Sequence, residues 1–149
     1  MSKIQPHQTA NPYKFRMYRS ANYTTAGSTT VQLNTVDFDT AGGCNTGSYS
    51  YTIPIDGYWF ISANLLTQAN SGTGYFITVV IDGSEHWAIG NGFISAFTNS
   101  GSWTRLSGSG VRNFTAGTVL TLHFVGNTSQ TVYGNPSNTN LTGFLVSET

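Results

Sequence analysis

The chain has 149 residues, a formal net charge of zero and charged side chains at only 8% of its positions, against roughly 25% in ordinary globular domains. That length fits one domain, which buries about two thirds of its surface without covalent staples. Neutrality argues against a nucleic-acid partner, whose phosphates select a basic face. The single cysteine, Cys44, excludes an internal disulfide framework and a multi-cysteine metal site.

The polar surface must be built from Thr, Ser, Asn, Gln and Gly, which suits surface layers, fibres and sugar-facing proteins. The longest apolar run, from Phe76 to Ile81 with Thr78 inside it, is too short to cross a bilayer. No apolar leader is visible in the first twelve residues. A soluble chain with no membrane partner is expected.

In chain order, residues 1–12 read as a polar arm interrupted by Pro6 and Pro12, either disordered or ordered on a partner. Residues 13–149 read as one domain. Alternation and β-branched or aromatic content predict strands over 13–19, 29–33, 48–53, 58–66, 75–82, 85–89, 103–112, 119–125, 131–133 and 141–147. Turn signals separate many of them: Asp56-Gly57, Asp82-Gly83, Ala116-Gly117, Gly126-Asn127 and Gly134-Asn135-Pro136. No stretch carries helical periodicity with caps, and no internal repeat is present. About ten short strands predict an all-β, two-sheet antiparallel sandwich of the jelly-roll type.

The strand over 58–66 is apolar on both sides. Trp59, Ile61, Ala63 and Leu65 share one face and suit a core; Tyr58, Phe60, Ser62 and Asn64 share the other. Burying the two outer aromatics would contribute about 3–6 kcal/mol, so this face predicts a cover, most simply a second subunit. In the strand over 119–125, Leu120, Leu122 and Phe124 face inward while Val119, Thr121 and His123 face out. If the two strands adjoin in one sheet, Tyr58, Phe60, Ser62, Thr121 and His123 form one subunit interface.

A further pattern runs through the chain. Phe38-Asp39 precedes the Gly/Asn loop 42–47, the strand 48–53, Pro54, Gly57 and the block Tyr58-Trp59-Phe60-Ile61-Ser62. Phe114-Thr115-Ala116-Gly117-Thr118 and Leu141-Thr142-Gly143-Phe144-Leu145 follow later. This order resembles the globular head domain of complement component 1q and the tumour-necrosis-factor-like jelly rolls, over roughly residues 15–146. Ile61, Thr118 and Leu141 depart from the usual aromatic, Asp and Phe. Phe15 to Arg19, Val36 to Asp39 and the long loop are most similar to the forms in bacteriophage virion proteins.

The resemblance implies a homotrimer. It also implies a non-enzymatic structural protein on a virion surface, as a capsid decoration or cement protein rather than a tail component. Its partners would be copies of itself and other virion proteins such as the major capsid protein. The arm, with Ile4, Gln5 and Pro6, and the cluster Lys14, Arg16 and Arg19 would anchor it to the lattice; alternatively, the cluster guards an edge strand. The family's calcium and immunoglobulin binding do not carry over, because their ligands are not recognisable here. The alternative function is a receptor-binding or lectin-like module that contacts host-surface glycans through Trp87, Trp103 and Tyr133.

No catalytic constellation stands out. Asp37 and Asp39 are weak candidates for a cation with loop carbonyls, against the plainer reading of turn capping; no metal or cofactor is expected. Glu85 and His86 are adjacent, so a strand sends them to opposite faces and they cannot act as a pair. His123 reads either as a residue lining a three-fold axis, where a ring of three histidines would bind an anion or a metal or respond to pH, or as a packed, hydrated histidine. Cys44 has no evident histidine partner.

Overall fold

The computed structural model describes residues 12–25, 27–69, 75–90, 102–126 and 129–149. Thirteen strands occur among them: β1 (Lys14–Tyr18), β2 (Tyr23–Thr25), β3 (Thr29–Thr30), β4 (Thr35–Asp39), β5 (Cys44–Asn45), β6 (Ser50–Thr52), β7 (Gly57–Ala69), β8 (Phe76–Ile81), β9 (Glu85–Gly90), β10 (Ser102–Phe114), β11 (Val119–Val125), β12 (Gln130–Val132) and β13 (Asn140–Glu148). All pairings are antiparallel. No helix among the described residues is long and apolar enough to cross a membrane.

The strands form two sheets. The first has the order β2-β12-β7-β13-β1-β4, with β10 on the free edge of β7. The second has the order β5-β6-β11-β8-β9, with β3 also on β11. Their inner faces meet in one core. Phe15 of the first sheet stacks on Tyr51 of the second with centroids 3.6 Å apart, and Tyr51 lies 6.0 Å from Trp59. Trp59, Ile61, Ala63 and Leu65 are fully buried, as are Leu120, Leu122 and Phe124. This is the jelly-roll sandwich that the alternation predicts.

The structure corrects one grouping. β7 and β11 do not adjoin: they lie in opposite sheets. Tyr58, Phe60 and Ser62 therefore face out on one side of the sandwich, and Thr121 and His123 on the other. The turn after β10, where Thr118 N–H bonds to Thr115 O, leads the chain from the first sheet into the second. An alternating strand looks the same whichever layer it joins, so periodicity could not make this choice.

Strands β2, β4 and β5 were not anticipated. β2 and β5 are too short for alternation to register. In β4 the register with β1 shifts between Arg16 and Met17, leaving Asp37 as an extra residue between Phe38 and Val36. That bulge breaks the period of two.

Candidate subunit interface on the outer face of the first sheet

Cross-strand register sorts the outer face of the first sheet into rows. Val111, Phe60, Phe144 and Lys14 follow one another across β10, β7, β13 and β1. Asn113, Tyr58 and Ser147 form the row on one side, with Val146 at a bulge beside them. On the other side run Ser109, Ser62, Thr142, Arg16 and Phe38, then Ser107, Asn64, Asn140 and Tyr18. The face thus passes from aromatic to hydroxyl to amide, where Asn64 Nδ2 donates to Asn140 Oδ1 at 3.4 Å.

The aromatic end is open. Phe60 and Phe144 stack with centroids 5.0 Å apart, yet Phe144 remains 40% exposed, Tyr58 45% and Val111 55%. A contiguous apolar patch with a polar margin is the form taken by protein-protein interfaces. Phe144 and Val111 are members that the single-strand reading missed. The alternation of Leu141, Gly143 and Leu145 against Thr142 and Phe144 carried the signal for one of them.

The other candidate residues fall elsewhere. Arg16 pairs with Asp37 at 3.4 Å and also donates to the Pro136 carbonyl. Arg19 donates to Ala21 O at 2.7 Å and lies over the Tyr23 ring at 4.7 Å. Both guanidiniums are engaged within the chain, whereas Lys14 is exposed. Ile4, Gln5 and Pro6 lie outside the described residues.

Asp37 and Asp39 do separate tasks. Asp39 accepts from the N–H groups of Ala41, Gly42 and Cys44 at 3.1, 2.9 and 2.8 Å, and so caps the following loop. Burial would raise its pKa, but these N–H groups outweigh it and hold the carboxyl below its usual value. Burial, and then the charge of Asp39, push the Cys44 thiol far upward, the opposite of what a nucleophile needs. No group of three or more His, Cys, Asp or Glu side chains placed to hold a metal occurs among the described residues.

Trp87 is half-buried and packs against the core, edge-on to Phe114 at 6.0 Å. Trp103 and Tyr133 stack at 3.9 Å, with Trp103 59% exposed. The Tyr133 hydroxyl donates to Gln68 Oε1 at 3.3 Å. Gln68 is eight residues beyond Phe60 on β7, about 26 Å at strand spacing, so this pair lies at the far end of the face. Glu85 pairs with Arg112 at 2.6 Å while His86 hydrogen-bonds Thr78, so the two neighbours do diverge.

No protein-family model matches the chain, and no curated protein matches it. Solved structures do. An Eiger TNF from S. frugiperda superimposes with a TM-score of 0.73 at 6% identity, covering 93% of this chain and 95% of that one. The globular domain of zebrafish complement 1qA gives 0.66 at 13% identity, covering 92% and 99%. Murine APRIL gives 0.60 at 14% identity, covering 89% and 99%. The chain is a jelly roll of the tumour-necrosis-factor and complement-1q type in fold.

Proposed function

We propose that the chain is a non-enzymatic assembly module: a homotrimer closed through the outer face of its first sheet and displayed on the surface of a bacteriophage particle. The observation that carries the assembly reading is the row Val111-Phe60-Phe144 with Tyr58 beside it, apolar and uncovered in a single chain. Three copies, rather than two, follow from the sequence resemblance. The same resemblance supports the virion setting, and the low charge suits a surface layer. Within that setting a capsid decoration or cement protein is favoured over a tail component, with the arm and the exposed Lys14 meeting the capsid lattice.

The test adds the purified protein to phage particles that lack it. The full chain should bind the capsid with trimer stoichiometry. A chain shortened by residues 1–12 should stay trimeric and lose binding. Failure of the full chain to bind would remove the virion role and leave the trimer to be judged separately.

A second reading rests on the exposed Trp103, stacked on the half-buried Tyr133, with the Gln68 amide beside the pair. Aromatic faces next to amides suit the apolar faces and hydroxyls of a sugar ring, as in a module that contacts host glycans. Glycan binding that disappears in Trp103→Ala, while the trimer persists, would favour this reading.

A further inference from the structure

On the outer face of the second sheet, three adjacent strands bring together two histidines. His123 of β11 lies opposite Thr78 of β8, and His86 of β9 lies opposite Val80 of β8. Register between β8 and β9 shifts between Ile77 and Val79, so Thr78 sits at an irregularity. The rings of His86 and His123 lie with centroids 5.7 Å apart and planes at 68°. Thr78, 2% exposed, forms a 3.2 Å hydrogen bond between its hydroxyl and His86 Nδ1.

We propose that His86 and His123 together bind one divalent transition-metal ion of the Zn2+, Ni2+ or Cu2+ class, the imidazoles supplying two ligands and water the rest. This site is separate from the proposed assembly face and does not depend on that reading. Three observations support it. Two imidazole nitrogens about 2.1 Å from one tetrahedral ion place their ring centroids about 5 Å apart, so the observed separation needs little adjustment.

The contact with Thr78 occupies Nδ1 of His86, and Nε2 has no hydrogen-bond partner among the described residues. Metal-bound histidines usually hold their second nitrogen in this way. The Nδ1 of His123 is buried and has no hydrogen-bond partner among the described residues, an unusual state for a buried polar atom. His86 is exposed, so an ion reaches the pair from solvent.

Calorimetric titration of the untagged full chain with Zn2+, repeated with Cu2+, tests the proposal. One ion per chain is expected, held more tightly for Cu2+. His86→Gln and His123→Gln should each weaken binding at least tenfold, and Thr78→Val several-fold. His7→Gln and Cys44→Ser should leave it unchanged. Because His86 is exposed, its variant tests the site even if His123→Gln folds poorly. Absence of saturable binding, or binding indifferent to His86→Gln and His123→Gln, would overturn the proposal, as would loss of binding in His7→Gln or Cys44→Ser.

Discussion

Asp39 ties a loop of small polar residues to the end of a strand through three backbone N–H groups. Asp39→Ala should therefore lower unfolding free energy by about 1–3 kcal/mol, the usual loss when charge-assisted hydrogen bonds are broken. Denaturant titration measures it. The same variant should speed alkylation of Cys44, whose thiol loses the neighbouring negative charge. Because the folded pKa of Asp39 lies below its unfolded value of about 3.9, its contribution is present above that value and disappears as pH falls through the folded pKa. The variant's stability should thus fall less steeply in acid than that of the parent.

His123 has the same sign through the opposite charge change. Burial, and then the neighbouring His86, hold its folded pKa below the ordinary histidine value of about 6.5, so the unfolded chain takes up a proton first as pH falls. Stability should decline as pH falls below that value, until the folded histidine protonates too. Melting temperatures between pH 7.5 and 5.5 should show this decline in the parent and a smaller one in His123→Gln. Equal slopes would contradict the assignment.

Among the elements, β7 organises the molecule, pairing along its length with β10 on one side and with β13 and β12 on the other. Its apolar double face was legible in the sequence, because Tyr58 to Leu65 alternate without interruption. The layer assignment of β11 was not legible, because it depends on which partner the strand finds across long loops. β4 was hidden by its bulge at Asp37.

The fit between β13 and the core also escapes sequence reading. A Cβ at Gly143 would lie 2.5 Å from Phe15 Cε1 and 2.7 Å from Ile61 Cδ1. Gly143→Ala should cost about 1–3 kcal/mol through overpacking, seen as a lower denaturation midpoint. An unchanged midpoint would mean that Phe15 moves aside freely from its stack on Tyr51.

For the whole molecule, the sequence pointed to a jelly roll and to one exposed aromatic strand. It did not reveal that Phe144 and Val111 complete the patch, because those neighbours are supplied by register rather than by proximity in the chain. Truncating the patch tests its role. Phe60→Ser with Phe144→Ser should raise trimer dissociation by about a hundredfold or more, since each ring is worth about 1–2 kcal/mol when buried from partial exposure. The monomer fold should survive, because neither ring belongs to the inner core.

The most direct test is the solution mass of the intact protein by light scattering, with that double variant alongside. A trimer requires three times the 16.0 kDa chain mass for the parent, falling toward one chain in the variant on dilution. A parent that remains at one chain mass at high micromolar concentration would contradict the assembly role.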